Sequence, residues 1–161
     1  MKITALEEYG LRCLLRMAIE SPDGTLTVSQ IAEKEGLTVP YVGKLMSVLR
    51  QSGLVESVRG RSGGYALTRP AGQITVEEIL TALGEPLFTT DYCVSHAGSR
   101  EGCTHGDGCS IRSVWLVLGD LIHRVLRNTS LADLCLPERE LSRQLESSRA
   151  AMLSGLSTPP E

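Results

Sequence analysis

Apolar or small residues recur at three- and four-residue steps at the start of the chain, at Ile3, Leu6, Gly10, Leu14 and Met17. That period predicts an amphipathic helix over residues 3–20 with one face turned to a core. "SPDG" ends it with turn chemistry. "TVSQIAEKEG" predicts a short second helix, with Thr27 and Gln30 at capping-box spacing and Gly36 as a left-handed stop. A third helix, 39–52, has Pro40 in its first turn, where a missing N–H costs little, and Gly53 after its end. Val42, Leu45, Met46 and Leu49 give it one apolar stripe.

Two short alternating runs follow, "LVESV" and "YALT", joined by "RGRSGG", which predicts a β-hairpin. "TVEEILTALGE" (75–85) predicts another helix, capped by Thr75 and Glu78. From Ile111, the residues Val114, Trp115, Leu118, Leu121, Ile122 and Val125 form a wide stripe over 111–127. "TSLADL" predicts one more short helix, and beyond Pro137 the polar sequence predicts a mobile tail. The chain divides into a winged helix-turn-helix unit (1–85), a cysteine-rich loop (86–109), a dimerisation helix with the short helix after it (110–136) and the tail (137–161). The fold class is mainly α with a small β-hairpin wing.

Charge sharpens this picture. The net charge of −3 does not by itself suggest a nucleic acid partner, but its distribution does. Within residues 36–70, Lys44, Arg50, Arg59, Arg61 and Arg69 face Glu56 alone, a local +4 that leaves −7 for the rest. In a helix-turn-helix the second helix enters the major groove, its N-terminal residues against base edges. Val39, Pro40, Tyr41 and Lys44 are then nearest the DNA, with Ser47 and Gln51 further along. Arg59 and Arg61 on the hairpin turn are placed to follow the neighbouring backbone or minor groove. No nucleophile–base constellation points to an enzyme. No secretory signal or membrane-length apolar run is present, so a cytoplasmic protein without a membrane partner is expected.

The segments "EYGLRCLLRMA" and "TVSQIAEKEGLTVPYVGKLMSVLRQSGLVESVRGRSGGYALTRPAGQITVEEIL", with the cysteine loop after them, resemble the IscR/NsrR/RirA family of bacterial winged-helix regulators over about residues 1–127. The resemblance implies a homodimeric transcription factor, often one carrying an iron–sulfur cluster whose state sets DNA affinity.

Between Asp91 and Arg112 lie Cys93, Cys103 and Cys109, spaced Cys-x9-Cys-x5-Cys among four glycines. So long a loop in a compact domain is uncommon without a function. Gathering three thiolates requires a cation, and thiolate suits zinc, copper(I) or iron–sulfur iron. The close cysteine pairs of structural zinc sites are missing. The resemblance favours an iron–sulfur cluster, of two or four irons, on these three cysteines. The first gap is longer than relatives have, and Arg112 stands where some of them place a histidine. In other branches an acidic residue from the partner's first helix completes the set, and the matching residue here is Glu8. Two positions beyond Leu6, it lies about 200° around the helix and off the buried stripe. His105 is the main rival, followed by Asp107 and His96. Cys13 and Cys135 read as small buried hydrophobes.

The expected function is a homodimeric repressor on a palindromic double-stranded operator, assembled through helix 111–127 and sensing redox state, nitric oxide or iron supply through its cluster. A thiol–disulfide or zinc regulator on the same fold is the first alternative, and a cluster-bearing redox protein without DNA binding is the second.

Overall fold

The computed structural model describes residues 3–22, 24–60, 63–84, 105 and 108–154. Helix α1 (Ala5–Glu20) begins at a capping box in which Thr4 Oγ accepts from the Glu7 N–H and the Glu7 carboxylate accepts from the Thr4 N–H. Helix α2 (Val28–Glu35) is capped in the same way by Thr27 and Gln30, and it stops at Gly36, whose φ of 66° is left-handed. A short turn leads into α3 (Val39–Gln51), with Pro40 in its first turn. Strands β1 (Val55–Val58) and β2 (Gly64–Leu67) form an antiparallel hairpin in which Val55 pairs with Leu67 and Val58 with Gly64. A 3-10 turn (Ala71–Gln73) and α4 (Val76–Leu83), capped by Thr75 and Glu78, complete the head. This is a winged helix-turn-helix in the expected order.

The core of the head is formed by Leu14 and Met17 from α1, Ile31 from α2, Val42, Leu45, Met46 and Leu49 from α3, Val55 from β1 and Ile79 from α4. Each fully buried aliphatic side chain contributes roughly 1.5–3 kcal/mol. Close packing of α1 on α4 explains Gly10, where a Cβ would run into the Leu83 side chain.

The long helix α5 (Ser110–Arg127) follows, then α6 (Leu131–Leu134) and α7 (Glu138–Ser154). Two features depart from the expected division. Residues 129–131 return to the head: the Val76 N–H donates to the Thr129 carbonyl and the Leu131 N–H to the Ile74 carbonyl, both at 2.8 Å. Leu131 is fully buried in the head core, so α6 belongs with the head rather than with the long helix. And residues 138–154, expected as a mobile polar tail, form helix α7. Polarity misled there, because the helix is exposed along most of its length and shows little apolar stripe.

Candidate nucleic acid interface and cysteine site

The outward face of α3 is organised by what it buries. With Val42, Leu45, Met46 and Leu49 turned into the core, Val39, Pro40, Lys44 and Gln51 are exposed and Tyr41 and Ser47 half-buried. Val39 shows 49 % of its surface to solvent although it is a large aliphatic residue at the start of the helix. Tyr41 is turned partly inward and meets the Tyr9 ring edge-on, centroids 5.9 Å apart at 85°. The Arg12 guanidinium lies 5.4 Å from the centroid of that Tyr9 ring. The Nε–H groups of Arg12 and Arg16 both donate to Glu35 at the end of α2, each at 2.8 Å. Burial pushes the Glu35 carboxyl up, but hydrogen bonds from Arg16 and then Arg12 outweigh it and hold its pKa below the ordinary value. The start of α3 is thus braced against α1, and α2 is tied to the same face of α1.

The wing is shaped by glycines. A Cβ on Gly64 would lie 2.6 Å from the Leu26 carbonyl oxygen, because Leu26 and Tyr65 exchange backbone hydrogen bonds at 2.8 and 3.0 Å. Arg59 is exposed at the tip and Arg61 lies outside the described residues. Lys44, Arg50 and Arg59 form no ion pair among the described residues. Arg69, counted in the local +4, is otherwise engaged: it donates to Glu78 at 3.1 Å and to the Gln73 carbonyl at 3.3 Å. Its role is to fasten the wing's exit to α4. The effective positive face is therefore Lys44, Arg50 and Arg59, with Arg61 beyond what is described.

Of the candidate ligands, Cys109, Glu8 and His105 are described, whereas Cys93, Cys103, His96 and Asp107 lie outside the described residues. Among the described residues no three His, Cys, Asp or Glu side chains come together as a metal site. Cys109 is half-buried and occupies the N-cap of α5 without bonding to the helix's free N–H groups. Its sulfur therefore sits at a helix end that favours negative charge. Glu8 is exposed, as its position off the buried stripe predicts. Its neighbour Glu7 is buried, with its carboxylate against Gly84, the last described residue before the cysteine segment. The Thr4-x-x-Glu7 spacing is the sequence signal that marks Glu7 as a capping residue. These donors are of the right kind for an iron–sulfur cluster: a partly accessible thiol at an anion-favouring helix end and an unencumbered carboxylate.

The remaining cysteines play other parts. Burial pushes the Cys13 thiol up to about 12, so it stays protonated and inert. Cys135, expected inside, is an exposed residue. Its thiol nonetheless turns back on the chain and donates to the Leu131 carbonyl at 3.4 Å.

Helix α5 is fastened to the head at one end. Glu77 on α4 accepts from Arg127 Nε at 3.1 Å and lies 2.7 Å from His123 Nδ1. The Arg127 hydrogen bond is the main reason its pKa falls below the ordinary carboxylate value. Elsewhere along α5, Ile111, Val114, Leu116, Val117, Leu118 and Val125 are all exposed.

Residues 3–137 match the Rrf2 family, described as iron-dependent transcriptional regulators. The chain belongs to that family. Among curated relatives, the HTH-type transcriptional regulator IscR of Yersinia enterocolitica is 36% identical over 134 residues, covering 83% of this chain and 79% of the relative. IscR of Xenorhabdus nematophila gives the same figures. Among solved structures, CymR, the global cysteine regulator of B. subtilis, superposes with a TM-score of 0.70 at 29% identity, over 84% of this chain and 96% of CymR. T. potens IscR superposes with a TM-score of 0.65 at 32% identity, over 83% and 85% of the two chains. This Rrf2-family chain is a DNA-binding transcriptional regulator and not an enzyme. Among the described residues no helix is long and apolar enough to cross a membrane.

Proposed function

We propose that this Rrf2-family regulator is a cytoplasmic homodimer that represses transcription from palindromic operators, and that an iron–sulfur cluster sets its operator affinity. Cys93, Cys103 and Cys109 would hold the cluster, with the partner's Glu8 as fourth ligand and His105 as its rival. When bound, the group supplies a centre that responds to oxidants, nitric oxide or iron supply. The observation that carries the reading is the position of Cys109, which caps the helix whose apolar face is left uncovered. The residue that ligates and the helix that assembles are consecutive in the chain. A two-fold pairing of α5 buries its open face and sets two α3 helices for half-sites roughly 34–36 Å apart. Val39, Pro40, Tyr41, Lys44, Ser47 and Gln51 face the groove, while Arg59 and Arg61 grip the flanking backbone. Glu8 lies one residue before Tyr9, which braces Tyr41, so a pull on Glu8 reaches the base-reading end of α3.

The test is anaerobic purification with visible spectroscopy and iron and sulfide analysis, repeated for Cys93→Ala, Cys103→Ala, Cys109→Ala and Glu8→Ala. Operator titrations before and after cluster removal complete it. The expected result is a coloured protein whose affinity falls at least tenfold on cluster loss. Equal affinity of the two forms would rule out the switch and leave DNA binding intact. A second reading, a thiol-based regulator without a cluster, is favoured by the likeness to the oxidized form of Staphylococcus aureus CymR (30% identity, TM-score 0.64). It requires a colourless preparation in which oxidation of these cysteines alone alters binding.

A further inference from the structure

Glycine in this chain usually has a visible cause. Gly36, Gly53 and Gly60 have positive φ, and Gly10 and Gly64 are pressed by Leu83 and Leu26. Gly43 has neither cause. It lies inside α3 with ordinary helical backbone, and a Cβ built on it meets no atom within 4 Å. Glycine in a helix interior weakens folding roughly fivefold relative to alanine. Nothing in the described chain requires that cost.

The position suggests what does. Gly43 is four residues after Val39 and four before Ser47, so the three form one row along the helix surface. Pro40 and Lys44 flank it, and the buried row of Val42, Leu45, Met46 and Leu49 lies to the other side. The bare stretch of backbone thus falls in the N-terminal half of α3, on the face that Lys44 and exposed Val39 share. We propose that Gly43 is a DNA-contact position at which the backbone of α3 lies directly against the operator, an operator group filling the volume a side chain would take. The missing side chain then sets how deeply the helix seats and so tunes specificity. This inference rests on the assignment of the α3 face to the DNA groove.

The experiment uses the full-length protein, purified anaerobically, and duplex DNA that it selects from a randomised library. Gly43→Ala is expected to unfold at higher temperature than the parent yet bind the selected duplex about five- to tenfold more weakly. Gly43→Leu is expected to lose at least a hundredfold. Binding to unselected DNA and its salt dependence should be unchanged, since phosphate neutralisation by Lys44 and Arg59 supplies that term. A loss that is the same for every base-pair change within the selected duplex identifies a sugar–phosphate contact, and a loss confined to certain base pairs identifies a base edge. Unchanged affinity in Gly43→Leu, or lower thermal stability in Gly43→Ala, would overturn the proposal. If Lys44→Ala weakens binding to selected DNA while Gly43→Leu does not, the Gly43 assignment falls alone. If the parent selects no duplex, both it and the groove assignment fall.

Discussion

Helices α1 and α5 are both long and amphipathic, but the described residues cover only the first. On α1, Cys13, Leu14 and Met17 are at most 1 % exposed, because α2, α3 and α4 close over them. On α5, Ile111, Val114 and Val117 remain 56, 55 and 48 % exposed, and Gly119 is the buried residue of the helix. The period is the same in both. Amphipathicity thus declares that a face needs covering without saying by what. The head satisfies its own requirement, whereas among the described residues α5 keeps several large apolar side chains exposed, the kind of surface that the proposed dimer would bury.

The strongest way to probe the contrast is to damage the finished side. Leu49, a fully buried residue of α3 in the head core, should cost about 2–5 kcal/mol when replaced by alanine, through lost burial and the cavity left behind. Urea denaturation followed by circular dichroism measures it. A loss below about 1 kcal/mol would mean that the head core is looser than its packing indicates.

Damage to the open side should read out differently. Val114→Glu combined with Val117→Glu places two charges at exposed positions of α5 and leaves the head core unaltered. The expected outcome is a folded monomer by sedimentation with unchanged far-UV circular dichroism. Its operator affinity should fall about a hundredfold, roughly 2.7 kcal/mol, because two half-sites are no longer engaged together. A double variant that still sediments as a dimer would assign the cover to another surface, α7 being the nearest alternative.

The same contrast separates what the sequence discloses from what it withholds. Thr27 with Gln30, Gly36, and Thr75 with Glu78 were legible because capping acts over three or four residues. The stripe of α3 was legible because its period survives any tertiary context. The Leu26–Tyr65 bridge, the return of Leu131 to the head and the diversion of Arg69 to Glu78 were not. Each joins positions further apart than a helix turn, and no local pattern encodes the partner. Helix α7 was missed because an exposed polar helix lacks the stripe by which helices are recognised. At the candidate site, Val39, Pro40, Lys44, Gln51 and Arg59 are exposed as a helix face and a hairpin turn require, whereas Tyr41 and Ser47 are half-buried. Gly43 escaped because a glycine announces itself only once its surroundings are seen to be empty. The cysteine spacing suggested convergence, but Cys109 alone of the three falls among the described residues.

The finest test concerns a charge cluster that belongs wholly to the finished side. Glu35, whose side chain is 6 % exposed, takes hydrogen bonds from Arg12 and Arg16, and its pKa lies below the ordinary 4.5. A depressed carboxylate binds its proton less tightly folded than unfolded, so its contribution is present above about pH 4.5 and drains away as pH falls through the lower, folded value. Glu35→Gln should therefore be slightly less stable at neutral pH, with a shallower loss of stability on acidification. Both arginines are substantially exposed, which keeps the effect small. The monomeric Val114→Glu, Val117→Glu variant should retain the full acid dependence, because the groups that hold Glu35, Arg12 and Arg16, belong to α1. An acid limb that flattened in that variant as well would show that acidification acts through association of α5 and not through the clasp between α1 and α2.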